Sequence, residues 1–210
     1  MDKLKIMESI AIQTRRCDRC RLCKGAKNAV PGEGSVDSKI VFIGEAPGAT
    51  EDETGRPFVG RAGQLLDKLL DEIGLKRSDV WIGNVIKHRP PNNREPLPEE
   101  ISACEPYLAL QLKTINPVLV VTLGRFAMYY FYKDGKISRD HGNLIKTGGG
   151  LSVYPIYHPA AALRQERFRE ALEEDFKRIP QILKQVELEG FIKPPTYRAS
   201  DLGSQLSLGI

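Results

Sequence analysis

Residues 40–63 read IVFIGEAPGATEDETGRPFVGRAG, and this stretch decides how the chain folds. It opens with four apolar residues, which are typical of a buried β-strand, and then breaks into a glycine- and proline-rich loop. An amphipathic helix pattern follows the loop. A buried strand that leads through such a loop into a helix is the usual way in which an α/β protein presents backbone amides to a ligand.

Further apolar segments predict more strands, and helical patterns separate them. We expect strands at residues 40–43, 80–86, 118–124 and 153–157. We expect helices at residues 1–16, 61–75, 99–115, 125–132 and 160–186. Pro180 should kink or interrupt the last helix, and residues 133–150 suit a hairpin or surface loop. This alternation favours a parallel sheet with helices on both faces.

Length and composition indicate an ordinary globular protein. The 210 residues suit one domain, residues 1–186, followed by a flexible tail, residues 187–210. Apolar residues make up 41% and charged residues 28%, and no apolar run approaches the length of a membrane span. The first residues lack a secretion signal, so we expect a cytoplasmic protein. We also expect it to be a monomer. A net charge of +4 permits nucleic-acid binding without demanding it.

Four cysteines suggest a metal site. They are Cys17, Cys20, Cys23 and Cys104. Disulfides are rare inside cells, so ligation of a metal or a cluster is the better interpretation of a chain without a secretion signal.

Polar residues follow three of the predicted strands where those strands end. Gly44 and Glu45 end the first, Asn84 lies near the end of the second, and His158 follows the fourth. The carboxyl ends of parallel strands meet at one edge of a sheet, and ligands bind there in α/β proteins. The sequence therefore predicts an active site at this edge.

Several motifs occur together and in order: GEAPGATED, GRPFVGRAG, NVIKHRPPNNREP, VVTLG and YHPAAALR. Over about residues 14–180 the chain resembles the thermophile-type, or family-four, uracil-DNA glycosylases. The resemblance implies a three-layer α/β/α sandwich with a four-stranded parallel sheet. It also implies a [4Fe–4S] cluster and the hydrolytic removal of uracil from DNA, which leaves an abasic site and starts base excision repair.

The resemblance assigns the uracil-binding residues by position. Phe58 would stack on the uracil ring. Asn84 would donate to O4 and accept from N3–H, a pattern that cytosine cannot match. His158 would donate to O2, where negative charge grows as uracil leaves, and backbone amides at Glu45 and Ala46 would help to hold that charge.

Three more residues receive roles from the family. Glu45 lies where related glycosylases place an acid that activates water, and Asn93 in PPNNR would help to position that water. Glu51 matches the position that crowds the C5 methyl group of thymine. The alternative for Glu51 is a solvated acidic turn.

The motif HPAAALR resembles the loop that enters the DNA minor groove. Leu163 would fill the space left by a flipped nucleotide, or else belong to the first turn of a core-facing helix. Arg164 and Arg167 would contact phosphates, or else remain solvated at the surface.

The cluster ligands match the family with one departure. Cys17, Cys20 and Cys104 occupy the expected positions, but His88 stands where the family has its third cysteine. Histidine ligates iron at other iron–sulfur sites, so we predict His88 as the remaining ligand. Cys23 is the alternative, and a zinc ion bound by the same residues is the alternative to the cluster.

Two rival functions remain open at this stage. One branch of the superfamily crosslinks to uracil and carries an additional basic loop. This chain has Ala46 and PPNNREP where that branch differs, which favours an enzyme that turns over. The other rival is a non-catalytic iron–sulfur protein that binds DNA.

The last six residues, QLSLGI, resemble the motif that binds the bacterial sliding clamp. A tether that carries a few apolar anchors into a hydrophobic groove suits such binding. The anchors would be Gln205, Leu206, Leu208 and Ile210. The alternative is a strand or helix end that docks on the domain.

Overall fold

Strands and helices alternate in the computed structural model, which describes residues 2–189. The strands are β1 Glu33–Gly34, β2 Ile40–Gly44, β3 Trp81–Asn84, β4 Leu119–Leu123, β5 Ile145–Lys146 and β6 Ser152–Ile156. The helices are α1 Lys3–Arg15, α2 Ala49–Thr54, α3 Arg61–Glu72, α4 Pro98–Ile115, α5 Arg125–Phe131, α6 Ile137–Asp140, α7 Pro159–Ala162 and α8 Glu166–Leu188. Short 3₁₀ turns occur at Arg21–Lys24, Arg77–Asp79 and Pro91–Asn93.

The six strands form one sheet in the order β1-β3-β2-β4-β6-β5. The central four strands, β3, β2, β4 and β6, are parallel, as the sequence predicts. The two edge strands are antiparallel and only two residues long, and the prediction of a four-stranded sheet missed both. Two-residue segments carry no measurable alternation, so only pairing with a neighbour reveals them.

The sheet is buried on both faces, which makes the fold an α/β/α sandwich. In β2, Ile40 and Phe42 pack into the core that holds α3 and α8. Val41 and Ile43 point the other way, into the core that holds α1, α4 and α5. Successive side chains of a strand alternate between faces, so a wholly apolar strand must be covered on both sides.

The C-terminal helical region differs from the single helix predicted for residues 160–186. It contains α7 and α8, separated at residues 163–165 by Gln165, which has an extended backbone. Pro180 does not interrupt α8, contrary to expectation. The helix break reflects tertiary packing, because the residues at 163–165 are adequate helix formers and α7 packs against both α3 and α8.

The carboxyl ends of β2, β3, β4 and β6 lie at one edge of the sheet. β3 ends at Asn84, two residues before the predicted end at Ile86. Backbone bonds from Val85 to Gly44 and from Ile86 to Glu45 nevertheless continue alongside β2. Within residues 2–189 no helix is long and apolar enough to cross a membrane. The predicted sliding-clamp motif lies outside the described residues.

Candidate active site

A cavity of about 350 Å³ opens where β2, β3 and β6 end. It is lined by Glu45, Ala46, Pro47, Gly48, Glu51, Phe58, Ala62, Asn84, Pro90, Asn93, Arg94, His158, Ala160 and Arg164. Every residue that the sequence predicts to bind uracil or to act on it is therefore at this cavity. Leu163, His88 and the four cysteines do not line it.

Asn84 presents an amide that is buried but not fully paired. It is 1% exposed, and among the residues that the structure describes its Oδ1 has no hydrogen-bond partner. A buried carbonyl oxygen without a donor costs about 1–3 kcal/mol, so such an atom at a cavity points to a ligand that donates to it. A Cβ at Gly44 would lie 2.5 Å from this oxygen, so any side chain at position 44 would clash with Asn84.

Phe58 forms one wall of the cavity. Its side chain is 6% exposed, and its ring lies 5.7 Å from the His158 ring, tilted by 32°. Its backbone has a φ of +50°, a conformation that non-glycine residues rarely adopt. The ring is therefore held at the cavity by a strained loop.

His158 is positioned by its own backbone neighbour. Its Nδ1 accepts a hydrogen bond from the Ala160 N–H at 3.0 Å, which places the proton of the neutral ring on Nε2. Burial lowers the pKa of His158 to about 4; Arg164 acts in the same direction and Glu51 opposes it. At neutral pH the side chain is thus a neutral imidazole with one N–H to donate.

Glu45 combines burial with access to the cavity. Burial raises the pKa of its carboxyl to about 7; Glu95 acts in the same direction and Arg125 opposes it. Glu95 and Arg125 form an ion pair with each other beside it. A carboxyl with a pKa near 7 is suited to take a proton at neutral pH.

Asn93 lies on a loop that is fixed from both sides. Its φ is +53°, and its Oδ1 accepts a hydrogen bond from Arg89 Nε at 2.8 Å. Arg94 donates to both carboxylate oxygens of the buried Glu100, at 2.6 and 2.8 Å. Bidentate pairing of this kind holds the loop in a defined position over the cavity.

One carboxylate oxygen of Glu51 accepts hydrogen bonds from backbone amides. Its Oε1 accepts from the amides of Val59 and Gly60 at 2.9 and 2.8 Å. The expected contact with a C5 methyl group stays a prediction. What the structure adds is that Glu51 holds the loop that follows Phe58.

Of the residues predicted to contact DNA, Arg164 lines the cavity and Leu163 does not. Leu163 follows α7 directly, precedes Arg164 and is 41% exposed. Arg167 is exposed and its guanidinium lies over Phe168 at 4.6 Å from the ring centroid.

Cys17, Cys20 and Cys104 lie in one region, on the face of the sheet that is covered by α1, α4 and α5. Cys17 and Cys20 pack against the core cluster that contains Cys104, and Cys104 Sγ accepts from the Lys87 N–H at 3.2 Å. Burial raises the pKa of Cys104 to about 12; Lys87 opposes this, and Cys17 and Cys20 reinforce it. Thiols in such a place ionise when a metal binds them.

Two residues, His88 and Cys23, are candidates for the fourth ligand. Burial lowers the pKa of His88, and the charged neighbour that opposes this is Asp52 rather than a cysteine. Burial raises the pKa of Cys20; Cys17, Glu100 and Cys23 act in the same direction, and a hydrogen bond with the Leu22 backbone opposes them. Across residues 2–189, no group of three or more histidine, cysteine, aspartate and glutamate side chains is already arranged to hold a metal ion. The chemistry of three neighbouring thiols fits a cluster.

Two residues near the site were not predicted. Lys87 is wholly buried, and its Nζ donates to the Asn84 carbonyl and to Gln111 Oε1, both at 2.8 Å. Arg77 bonds to the carbonyls of Pro57 and Phe58. Lys87 stands inside the motif that carries Asn84, which was a usable signal. Arg77 stands in no recognised motif.

Comparison with protein families defines the class first. The model of the Uracil DNA glycosylase superfamily matches residues 31–181, which include all six strands and every residue that lines the cavity. The fold and the cavity are therefore those of this superfamily.

Individual relatives narrow the assignment. A Type-4 uracil-DNA glycosylase of Saccharolobus solfataricus is 44% identical, covering 98% of this chain and 97% of the relative. A Type-4 uracil-DNA glycosylase of Thermotoga maritima is 45% identical, covering 86% and 96%. A Type-5 uracil-DNA glycosylase of Thermus thermophilus is 32% identical, covering 69% and 78%. The chain belongs to the Type-4 uracil-DNA glycosylase family, which confirms the resemblance seen in its motifs.

Proposed function

We propose that this chain is a uracil-DNA glycosylase that hydrolyses the N-glycosidic bond of deoxyuridine in DNA and leaves an abasic site. The observation that carries the proposal is the buried Oδ1 of Asn84, which has no partner within residues 2–189 and lies at the same cavity as Phe58 and His158. The cavity at the carboxyl ends of the strands thereby offers a planar base the ring of Phe58 to stack on and the amide of Asn84 to bond with.

Recognition follows from hydrogen-bond polarity. A uracil flipped out of the duplex would stack on Phe58 and offer its N3–H to Asn84 Oδ1, while Asn84 Nδ2 donates to O4. Cytosine presents an acceptor at N3 and a donor at C4. Both contacts would then be mismatched in a buried site, which rejects cytosine strongly.

Bond cleavage needs charge stabilisation on the base and a water for the sugar. Electrons of the C1′–N1 bond leave with uracil, and charge accumulates on O2, towards which His158 Nε2–H would donate. Glu45, assisted by Asn93, would take a proton from the water whose oxygen bonds to C1′. No residue that lines the cavity is a lysine, so the described site offers no amine for a lyase step.

The DNA-facing surface would carry two further roles. Leu163 would enter the duplex where the nucleotide has left, and Arg164 would contact a phosphate. Both residues are exposed and adjacent in the chain, and Arg164 lines the cavity, which supports this proposal.

The test separates catalysis from binding. Asn84→Leu and His158→Ala are assayed for excision from a uracil-containing oligonucleotide and for affinity to the same DNA. We expect each to lose roughly 100-fold or more in excision and to keep most of the DNA affinity. Asn143→Ala, an exposed amide away from the cavity, is the control. Wild-type protein that binds uracil-DNA but leaves it intact would identify the non-catalytic or crosslinking alternative.

We also propose a [4Fe–4S] cluster held by Cys17, Cys20 and Cys104 with His88 as the fourth ligand. The cluster would join the segment after α1 to α4 and so supply stability, since metal binding is coupled to folding. Iron quantification and the visible absorption of wild type, Cys23→Ser and His88→Ala decide the ligand set. Loss of iron only in Cys23→Ser would replace His88 by Cys23, and zinc in place of iron would refute the cluster.

The predicted sliding-clamp contact through Gln205, Leu206, Leu208 and Ile210 remains a proposal from the sequence. A peptide of residues 200–210 should bind a bacterial sliding clamp, and a peptide with Leu206 and Leu208 replaced by alanine should not. Sedimentation of the full chain tests the expected monomer.

A further inference from the structure

The Phe58 loop holds an unfavourable backbone conformation. Phe58 has a φ of +50°, a conformation that a non-glycine residue keeps only where its surroundings enforce it. Its carbonyl oxygen also lies so close to α3 that a Cβ at Gly63 would be 1.8 Å from it. Something must therefore hold this carbonyl in place.

Arg77 is the side chain that does so. Its Nη1 donates to the Phe58 carbonyl at 3.1 Å, and its Nη2 donates to the Pro57 carbonyl. The two bonds hold consecutive carbonyls through two nitrogens of one guanidinium, whose planar donor geometry is fixed, whereas the single nitrogen of an ammonium offers no such fixed fork.

The guanidinium is itself fixed by two carboxylates. Arg77 Nε donates to Glu33 Oε1 at 2.6 Å, and Nη1 donates to Asp67 Oδ1 at 2.8 Å. Only 20% of the Arg77 side chain is exposed. Glu33 belongs to edge strand β1 and Asp67 to α3, so Arg77 ties the loop to two elements of the domain.

Glu51 holds the next two residues of the loop by accepting hydrogen bonds from them. The Glu51 carboxylate accepts from the amides of Val59 and Gly60, whereas Arg77 donates to the carbonyls of Pro57 and Phe58. The four residues of the loop are thus held at four backbone groups, and only the Phe58 ring faces the cavity.

We propose that Arg77 is a positioning residue for uracil recognition, holding Phe58 in the conformation in which its ring forms the stacking wall. This inference rests on the proposed function, because it assumes that Phe58 stacks on uracil. Arg77 lies outside the residues that line the cavity, so it acts through Phe58 alone.

Arg56 provides a matched control. It also donates to Glu33, at 2.9 and 3.1 Å, but it is exposed and bonds to no loop carbonyl. Arg77→Ala and Arg56→Ala therefore both remove an arginine from Glu33, and only the first removes the grip on Phe58.

The experiment measures kcat, KM and inhibition by free uracil on single-stranded uracil-DNA for wild type and both variants. We expect Arg77→Ala to raise KM and the inhibition constant roughly tenfold, since a stacking contact is lost, while Arg56→Ala matches wild type. Added methylguanidinium should partly restore Arg77→Ala. If Arg77→Ala does not fold, Arg77→Lys keeps a cation beside Glu33 and should show a smaller loss of the same kind.

The outcomes are distinct. Equal free-uracil inhibition in wild type and the Arg77 variant would overturn the positioning role, even if the variant is less stable. Wild type that fails to release uracil from DNA would instead overturn the proposed function.

Discussion

Glu45 and His158 show how burial sets the chemistry of individual residues at this site. Burial favours the neutral form of each, which raises the carboxyl pKa to about 7 and lowers the imidazole pKa to about 4. Above pH 7 the cavity therefore holds an ionised Glu45 and a neutral His158. This is the combination that a base for water and a donor to a leaving uracil require.

The rate should follow the ionisation of Glu45. Because the carboxylate is the form that the proposed base requires, kcat/KM should rise about tenfold per pH unit below pH 7 and level off above it. Glu45→Gln should lose roughly 100-fold or more and lack this dependence. Single-turnover excision between pH 5 and pH 9 measures both, within the range in which the protein remains folded.

Glu95 supplies the control for that profile. Its charge helps to raise the pKa of Glu45, so Glu95→Gln should move the midpoint of the profile to lower pH without lowering the plateau. An unchanged midpoint would show that another group controls the rate.

Gly44 lies in close contact with Asn84 and Phe58. In Gly44→Ala the new methyl group would lie 2.5 Å from both Asn84 Oδ1 and Phe58 Cζ, so one of them must move. We expect excision to fall roughly 10- to 100-fold, in line with about 1–3 kcal/mol of overpacking. Gly148→Ala, which has nothing within 4 Å of the new Cβ, should match wild type in the same assay.

At the scale of elements, the turn between α7 and α8 carries an exposed apolar residue. Leu163 ends α7 with a nearly helical backbone, and the chain leaves the helical conformation at Gln165. Leu163 is 41% exposed and precedes Arg164, which lines the cavity. An exposed apolar side chain next to a site for a flipped base is suited to replace that base in the stack.

Leu163→Ala tests this element on two substrates. We expect excision from double-stranded DNA to fall roughly tenfold, because unstacking is no longer compensated, and excision from single-stranded DNA to change little. Leu4→Ala, at a leucine of α1 that is 52% exposed, is the control. Equal losses on both substrates would contradict the wedge.

At the scale of the whole molecule, Lys87 joins parts that are distant in sequence. Its ammonium links the Asn84 carbonyl at the end of β3 to Gln111 of α4, and Gln111 Nε2 donates onward to the Pro31 carbonyl at 2.8 Å. Burial lowers the pKa of Lys87 to about 8, so the ammonium is charged at neutral pH. The backbone that presents Asn84 is thereby tied to the helix that carries Cys104.

Lys87→Met should destabilise the fold. Two buried acceptors lose their donor, at about 1–3 kcal/mol each, so the free energy of unfolding should fall by about 2–6 kcal/mol. Urea unfolding at pH 7 measures the change. Lys113→Met, at an exposed lysine of the same helix, should leave the unfolding midpoint within error.

The sequence by itself determined the central sheet, its burial on both faces and the convergence of Glu45, Asn84 and His158. Those features can be predicted because apolar runs, turn residues and motifs are patterns of residues that are close together in the sequence. The tertiary structure alone decided the edge strands, the helix break, the shifted pKa values and the grip of Arg77 on Phe58. These depend on contacts between residues far apart in the chain, such as Arg77 and Glu33, whose meeting is set by the packing of the whole domain.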